Sequence, residues 1–426
     1  MKIRFTCYQF LSLSKVLLAT CYRFLSLSKV LLATCYLLPV SGQRPLTDLL
    51  DFIPGSNQTS SFYTGVCIYD LTADSMVYAL DAGKQMRPAS TQKLFTAIAA
   101  LDQLGHDHPY ETYVYALGPV NRDSTGLCTL DGNVLVVGDF DPLLVVGDVD
   151  RVLHSLKQDS IARITGTIMA DLSMKDTILL GSGWCWDDDN PRLSPLPKDF
   201  TQHLADVLRR GGIAIDGSTV GGGASASPHV VYRYHHSLSD VLQRMMKNSD
   251  NTHAESMFYQ LGAQRRKCCS SKDCAAQVGL TVSKALDEFS HSASCSLLPA
   301  TCSLLPATYK YTIADGSGLS LYNYTTPLLE VIMLRYAYTH PEIFQTLYPS
   351  LPVAGVDGTL AGRMQTPPLR GNVHAKTGTV NHVSSLAGYL TSSDGHMLAF
   401  SIICNGVPAA AEAKALQDKI CRILTQ

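Results

Sequence analysis

The stretch "RPASTQKLFTAIAALDQLG", residues 87–105, is the part of the sequence from which both the fold and the chemistry can be argued. Pro88 suits the first turn of a helix, and the apolar run after Lys93 predicts that this helix is buried. Ser90 and Lys93 are three residues apart, so a helix brings their side chains together, with Cβ atoms about 5–6 Å apart. Because an unpaired lysine is costly to bury, the position of Lys93 requires a chemical reason.

Base catalysis supplies that reason, because a serine hydroxyl is a weak nucleophile until a base removes its proton. The pKa of a lysine, normally near 10.4, must fall by about three for this role near pH 7. Burial lowers it, a second cation lowers it further, and Lys376 is the candidate for that cation. Ser90 then lies near the helix N-terminus, where free N–H groups and the helix dipole stabilise an oxyanion and disfavour a protonated Lys93. Taken alone, the pair is better explained by an N-capping serine and a surface lysine.

A second motif, Ser249-Asp250-Asn251, follows the helical stretch 237–247. The hydroxyl of Ser249 can relay a proton to a departing amine. The amide of Asn251 can bind a peptide group of a substrate or hold Lys93. In isolation the tripeptide is more typical of a helix-capping turn.

A third motif, Lys376-Thr377-Gly378, lies on a predicted strand over 373–380. Gly378 allows the backbone of a ligand to approach closely. Lys376 and Thr379 are candidates for binding a terminal carboxylate, and Thr377, Gly378 and Thr379 together are the predicted substrate-binding residues. The alternative is an edge strand whose lysine prevents aggregation.

The composition is that of a globular protein without a preference for polyanions. Of its 426 residues, 46% are hydrophobic and 16% are charged. The 34 basic and 36 acidic residues leave a net charge of −2, which excludes a strongly basic nucleic-acid-binding or membrane-binding surface as the main feature.

The N-terminal residues predict a secretory signal. The sequence "FLSLSKVLLATCY" occurs twice, at 10–22 and 24–36, and the uncharged run 30–43 has the length of a signal-peptide core. Small residues at 40–42 suit cleavage before Gln43. We expect residues 1–42 to be a signal peptide and the protein to be exported to the periplasm, with a retained membrane anchor as the alternative.

The order of patterns along the chain predicts an α+β fold interrupted by an insertion. Residues 61–80 read as two strands, the stretch after 237 is rich in helices, and the C-terminal part reads as three strands and a helix. These parts predict an antiparallel sheet flanked by helices, plus an all-helical region. We place this domain at 43–111 and 235–426, and a β-rich inserted module at 112–234.

The cysteines leave their state open. The chain has 13, of which Cys268, Cys269 and Cys274 cluster without a histidine at ligand spacing. A zinc site is therefore not expected, and a local disulfide or free thiols are the alternatives. The heptapeptide "CSLLPAT" is duplicated at 295–308, which a loop can accept at low entropic cost.

The three motifs, in this order, form the set shared by penicillin-binding proteins and class A β-lactamases. Between residues 45 and 424 the sequence resembles the peptidase S13 family of D-alanyl-D-alanine carboxypeptidases/endopeptidases. The resemblance rests on the following stretches: "MRPASTQKL", "LVVGDFDPLL", "GWCWDDDNPRLSPL", "KNSDNTHAESM", "DGSGLS" and "LPVAGVDGTLAGRM". It implies a β-lactamase/transpeptidase-like fold with a module inserted between the first two motifs.

The resemblance also implies a role for each catalytic candidate. Ser90 attacks the carbonyl of the penultimate D-Ala and becomes acylated, with Lys93 as its base. Ser249 passes a proton to the departing D-Ala amine, and Asn251 orients the substrate and the base. Lys376 supplies positive charge for Ser249 and for the terminal carboxylate.

What the resemblance implies about partners follows from this chemistry. The backbone N–H groups of Ser90 and Thr379 form the oxyanion hole, and no metal or organic cofactor is needed. The substrates are peptidoglycan peptides that end in D-Ala-D-Ala, and β-lactams act as inhibitors. No nucleic acid is expected as a partner, while peripheral association with a membrane stays open.

Two alternatives remain at this stage. A class A β-lactamase would carry a glutamate in an E-x-x-L-N pattern after the second motif, and none follows Asn251. A non-catalytic sensor of cell-wall peptides would not need the intact motif residues. Both alternatives predict a different outcome when the protein meets penicillin, namely fast turnover or no covalent adduct.

Overall fold

The first two and the last three strands of the described chain form one sheet, helices and two further sheets lie between them in the sequence, and a helix follows the last strand. The computed structural model describes residues 62–217, 228–264, 268–291 and 310–426. In chain order its strands and helices are β1 (Tyr63–Asp70), β2 (Ser75–Leu80), α1 (Gln92–Gln103), β3 (Pro109–Leu117), β4 (Val120–Arg122), β5 (Cys128–Leu130), β6 (Asn133–Val137), α2 (Asp150–Gln158), β7 (Ile161–Ile164), β8 (Ile168–Asp171), α3 (Phe200–Arg210), β9 (Ala214–Ile215), β10 (His229–Ser237), α4 (Leu238–Asn248), α5 (Asn251–Ala263), α6 (Ser271–Ser290), α7 (Pro327–Thr339), α8 (Pro341–Ser350), β11 (His374–Val380), β12 (Val383–Thr391), β13 (Met397–Asn405) and α9 (Ala410–Leu424). Short 3₁₀ turns lie at Ala89–Thr91, Val146–Val149 and Gly358–Leu360.

The central sheet joins the two ends of the described chain. Its five antiparallel strands run in the order β11-β12-β13-β1-β2. The pairing of β1 with β13 runs from Tyr63 opposite Asn405 to Asp70 opposite Leu398. Burial along β12 and β13 is nearly continuous, because α7 packs on β1 and β13 and α9 packs on β12. The predicted antiparallel sheet flanked by helices is confirmed.

Helix α1 is the centre of the helical region. Its residues from Gln92 to Leu101 are all buried, and it packs against α4, α5, α6, α7 and α8. A helix that is apolar on every side belongs inside a protein, as the run after Lys93 predicted. Lys93 is therefore held by a buried core element, and Ser90 lies in the 3₁₀ turn directly before it.

Residues 109–217 and 228–237 form two four-stranded sheets with α2 and α3. The strand orders are β10-β3-β6-β8 and β4-β5-β7-β9, and a separate hydrophobic core lies among them. The β-rich character expected of this region agrees with these strands. Strand β3 begins at Pro109 and β10 ends at Ser237, directly before α4, so the pairing extends past 112 and 234 on both sides. The module boundaries stay a prediction.

The β-rich region contacts the helices next to the cysteine cluster. The backbone N–H of Cys269 donates to Met174 O at 3.1 Å, and the N–H of Asp176 donates to Cys269 O at 2.9 Å. All the cysteines in the described segments are free thiols, including buried Cys269 and Cys274. Of the two alternatives for this cluster, the structure has free thiols.

Two expectations fall elsewhere in the chain. The signal peptide at 1–42 and the duplication at 295–308 lie outside the described residues. Among the helices of the described segments, none has the combination of length and hydropathy that crossing a bilayer requires.

A pair of isoleucines tests the central position of α1. Ile98 on α1 has no exposed surface, whereas Ile178 is 58% exposed. We expect Ile98→Ala to lower the free energy of unfolding by about 2–5 kcal/mol through the lost contacts and the cavity. The matched Ile178→Ala variant should change it by less than about 0.5 kcal/mol. Urea denaturation of both variants measures the difference, and equal losses would contradict this account of the core.

Candidate active site

The three motifs converge on one site, although they are far apart in the sequence. Ser90 lies in the 3₁₀ turn before α1, and Lys93 in the first turn of α1. The Nζ atom of Lys93 is 3.0 Å from Ser90 Oγ and 2.8 Å from Asn251 Oδ1 at the start of α5. On β11, Lys376 Nζ donates to Ser249 Oγ at 2.8 Å. All five predicted catalytic residues are thus brought together.

The surroundings of the Lys93 amine direct its lone pair at Ser90. Besides Asn251 Oδ1, Nζ has a third neighbour, the backbone oxygen of Ser317 at 2.7 Å. Both of these oxygens can only accept hydrogen bonds. A neutral amine with its two N–H groups on them therefore points its lone pair at Ser90 Oγ, whose hydroxyl then donates. This is the geometry that a base needs.

Burial makes the neutral amine accessible near physiological pH. It lowers the pKa of Lys93 to about 8, although the carboxyls of Asp315, Glu255 and Asp250 act in the opposite direction. At pH 7 about a tenth of the molecules then carry the neutral amine. Lys93 is fully buried, as is Lys376.

The expected influence of Lys376 on Lys93 is reversed. Burial lowers the pKa of Lys376 well below its usual value, and the charge of Lys93 lowers it further. Burial, and not a second cation, is what lowers the pKa of Lys93.

The loop that supplies Ser317 O is shaped by one carboxylate, that of Asp315. Asp315 is 2% exposed and accepts four hydrogen bonds. The donors are Gly318 N at 2.8 Å, Ser320 N at 2.7 Å, Asn323 Nδ2 at 2.7 Å and Trp184 Nε1 at 2.8 Å. Because Trp184 comes from the segment between the first two motifs, that segment contributes directly to the shape of the site.

Glu255 on α5 holds the same loop from the other side. Its carboxyl accepts from Ser317 N at 2.9 Å and from Gly316 N at 3.3 Å. Burial, with the nearby charge of Asp315, raises the pKa of Glu255 to about 8. Sequence reasoning assigned no role to Glu255, Asp315 or Ser317. The available signal was their presence in the stretches "KNSDNTHAESM" and "DGSGLS".

The turn that carries the nucleophile, Pro88–Thr91, is called the nucleophile turn. A left-handed residue lies in this turn and another lies in the second motif, and one close contact constrains the turn. Ala89 has φ of 50° and Ser249 has φ of 58°, conformations that are unfavourable for non-glycine residues. Against this turn, a Cβ atom on Gly378 would lie 2.8 Å from Pro88 O and 2.9 Å from Ser90 N. Strand β11 can therefore approach the nucleophile only through a glycine.

Of the three predicted substrate-binding residues, Thr379 lines an open cleft of about 440 Å³, and Thr377 and Gly378 are not among the residues that line it. Asn251 and exposed Thr379 line it, together with the carboxylates of Asp188 and Asp189. Thr377 instead donates its hydroxyl to Thr359 Oγ1 at 2.8 Å. The three sequence motifs did not indicate the two acidic side chains of this cleft.

A pair of glycines tests the close contact at β11. We expect Gly378→Ala to slow the acylation of Ser90 by about a hundredfold or more, because the new methyl displaces the nucleophile turn. Gly83 has no atom within 4 Å of its ideal Cβ position, so Gly83→Ala is the matched control. Covalent labelling with a fluorescent penicillin measures both rates. Equal labelling of the two variants would show that the approach of β11 does not position Ser90.

Comparisons with known proteins identify the family of the chain. The model of the D-Ala-D-Ala carboxypeptidase 3 (S13) family matches residues 55–198, 192–290 and 305–426. The chain is 28% identical to a D-alanyl-D-alanine carboxypeptidase of Actinomadura sp., over 90% of this chain and 85% of that protein. It is 25% identical to the D-alanyl-D-alanine carboxypeptidase DacB of Haemophilus influenzae, over 87% and 90% respectively. The crystal structure of penicillin binding protein 4 from Haemophilus influenzae aligns with a TM-score of 0.72 at 23% identity, covering 89% of this chain and 98% of that one. The chain belongs to the S13 family of D-Ala-D-Ala carboxypeptidases.

Proposed function

We propose that this protein is a serine-type D-Ala-D-Ala carboxypeptidase/endopeptidase that acts on peptidoglycan stem peptides through an acyl-enzyme on Ser90. The observation that carries the proposal is the environment of the Lys93 amine, which is held by Asn251 Oδ1 and Ser317 O with its lone pair toward Ser90 Oγ. A buried lysine in this arrangement is suited to activating a serine and to little else.

Acylation uses Ser90 as the nucleophile. Its Oγ attacks the carbonyl carbon of the penultimate D-Ala while the hydroxyl proton passes to Lys93 Nζ. The tetrahedral oxyanion accepts hydrogen bonds from the backbone N–H groups of Ser90 and Thr379. The close approach of Gly378 to Ser90 N supports this assignment, because it brings β11 alongside the nucleophile turn.

Departure of the terminal D-Ala needs a proton on its amine. Ser249 donates its hydroxyl proton as the C–N bond breaks, and Lys376, 2.8 Å away, returns a proton to Ser249. The terminal carboxylate of the substrate favours the ammonium form of Lys376 at this stage. The proton gained by Lys93 balances the one lost by Lys376. Water then attacks the ester, which leaves a free peptide carboxylate and restores the Ser90 hydroxyl.

The cleft supports a peptide substrate that extends beyond the reacting bond. Its carboxylates, Asp188 and Asp189, lie on the same cleft as Asn251 and Thr379 and favour a cationic group on the stem peptide. Because the cleft is open, it accommodates both a terminal D-Ala and a longer departing chain. We therefore keep carboxypeptidase and endopeptidase cleavage together in the proposal.

We infer that the protein acts outside the cytoplasm, because its proposed substrate is the cell wall, and that the predicted signal peptide at 1–42 exports it. The rival activity, β-lactam hydrolysis, needs a base that activates water at the acyl-enzyme. Glu255 is the buried carboxyl closest in sequence after the second motif, and its oxygens accept from Gly316 N and Ser317 N. Because its oxygens already accept these hydrogen bonds, Glu255 is not placed to activate water. We therefore expect the penicillin adduct on Ser90 to be long-lived.

Product analysis tests the proposed activity. We expect the wild-type protein to release D-Ala, or to split cross-links, when incubated with purified muropeptides, and Ser90→Ala to release neither, because it lacks the nucleophile. Ser124 is exposed, and Ser124→Ala is the matched control that should retain full activity. Identical products from wild type and Ser90→Ala would refute the mechanism. Fast turnover of penicillin would favour a β-lactamase, and absence of an adduct would favour a non-catalytic sensor.

The pH dependence tests the base. Since only the neutral amine of Lys93 accepts the Ser90 proton and its pKa is about 8, the neutral fraction rises with pH below that value. The acylation rate should therefore increase about tenfold per pH unit between about pH 5 and about pH 7. Lys93→Ala should lose at least about a hundredfold in rate and most of this slope. Lys157→Ala, on the exposed side of α2, should keep both, and a steep slope in Lys93→Ala would show that another group is the base.

A further inference from the structure

A buried carboxyl that the mechanism does not use lies beneath the nucleophile turn. Glu330 on α7 has no exposed surface. Its Oε1 is 2.6 Å from Thr91 Oγ1, and its Oε2 is 2.7 Å from Ser401 Oγ on β13. Thr91 is the residue after the nucleophile, so Glu330 is connected to the turn that presents Ser90.

The connection continues to the carbonyl of Pro88. Thr91 Oγ1 is 2.8 Å from Pro88 O, and Ser385 Oγ on β12 is 2.5 Å from the same oxygen. The next residue is Ala89, whose left-handed conformation places Ser90. The position of the Pro88 carbonyl therefore sets the start of the nucleophile turn.

Counting protons shows which state of Glu330 these distances require. Four oxygen pairs are 2.8 Å apart or closer: Ser401 with Glu330, Glu330 with Thr91, Thr91 with Pro88 O, and Ser385 with Pro88 O. A fifth pair, Thr91 Oγ1 with Ser385 Oγ, is 3.4 Å apart, which is too long to require a hydrogen. Each of the four close pairs needs one hydrogen, and the three hydroxyl groups supply three. An ionised Glu330 leaves one pair as two facing lone pairs, because Thr91 cannot donate to Glu330 and to Pro88 O together. A protonated Glu330 supplies the fourth hydrogen by donating to Thr91.

The surroundings of Glu330 are consistent with a retained proton. Burial raises the pKa of Glu330 to about 7, while hydrogen bonds with Ser401 and Thr91 oppose the rise. Its carboxyl faces hydroxyl groups from β13 and from the nucleophile turn. The buried titratable side chains on the elements packed against α7 are Cys67, Tyr69 and Asp70 on β1, Lys93 on α1, Cys274 on α6, Tyr389 on β12 and Cys404 on β13. None of these side chains in the described residues is among the causes that shift the pKa of Glu330, which are burial and the hydrogen bonds with Ser401 and Thr91.

We propose that Glu330 is a positioning residue that must be protonated in the active enzyme, where it donates to Thr91 so that Thr91 holds the Pro88 carbonyl and thereby Ser90. This inference rests on the proposed acyl-enzyme chemistry of Ser90. Loss of the Glu330 proton turns the Thr91 hydroxyl toward the carboxylate and releases Pro88 O from one of its two donors. The nucleophile turn then loses a constraint on its left-handed residue, and acylation slows.

Two opposing titrations follow from this assignment. Acylation needs a neutral Lys93, which increases with pH, and a protonated Glu330, which decreases with pH. The wild-type rate should therefore rise, pass through a maximum between about pH 7 and about pH 8, and then fall to about a tenth of that maximum or less.

Glu330→Gln separates the two titrations. The glutamine amide can donate to Thr91 and accept from Ser401 at every pH, so it imitates the protonated carboxyl. We expect the variant to acylate at about the wild-type rate near pH 7 and to lose the decline on the alkaline side. The measurement is the rate of Ser90 labelling by a fluorescent penicillin from about pH 5 to about pH 10. The shape of this profile does not depend on the fraction of folded protein.

A matched pair at the next residue in the network tests the same path. Thr91→Ser keeps the hydroxyl and should label at nearly the wild-type rate. Thr91→Val keeps the shape but removes the hydroxyl, and should label about tenfold more slowly or worse at all pH values. An alkaline decline in Glu330→Gln equal to that of the wild type, or equal rates for the two Thr91 variants, would overturn the proposal. Absence of any adduct in the wild type would overturn the proposed function as well, so the two failures are distinguishable.

Discussion

The burial of the Lys93 amine is the constraint on which the rest of the site depends. A lysine without exposed surface is tolerated because its nitrogen meets three oxygens, those of Ser90, Asn251 and Ser317. Each oxygen comes from a different part of the chain, so the helices and the loop must be placed accurately for the amine to be satisfied at all. The same burial lowers its pKa toward the range in which it can act as a base.

Buried carboxyls organise the groups around that amine. Asp315 accepts hydrogen bonds from four donors and thereby shapes the loop that offers Ser317 O. Glu255 holds the same loop by accepting a hydrogen bond from the backbone N–H of Ser317. Glu330 lies under the other side of the nucleophile turn, in contact with Thr91. The reacting serine is thus held between networks in which carboxyl groups act on backbone geometry and not on the substrate.

Local spacing was enough to predict the part of the site that one helix contains. Ser90 and Lys93 meet because they are three residues apart, and the apolar run after them does form the buried helix α1. The meeting of Ser249 and Asn251 with these residues rested on the order of motifs, since no local pattern encodes a contact between distant helices. The roles of Glu255 and Asp315 were not predictable, because a carboxyl's effect depends on which N–H groups the tertiary fold brings to it. The mutual effect of the two lysines was not predictable either, because it depends on how deeply the folded protein buries each amine.

The pairing of β1 with β13 has a consequence for the order in which the protein becomes functional. These neighbouring strands come from opposite ends of the described chain, and β11, which carries Lys376, lies two strands beyond β13 in the same sheet. Such pairing is strongly non-local, and closing it requires that almost the whole chain has been synthesised. A chain whose synthesis has not reached β11 therefore contains Ser90, Lys93 and Ser249 but not Lys376, the lysine that contacts Ser249. The enzyme therefore cannot react with the cell wall before the last strand of this sheet is in place.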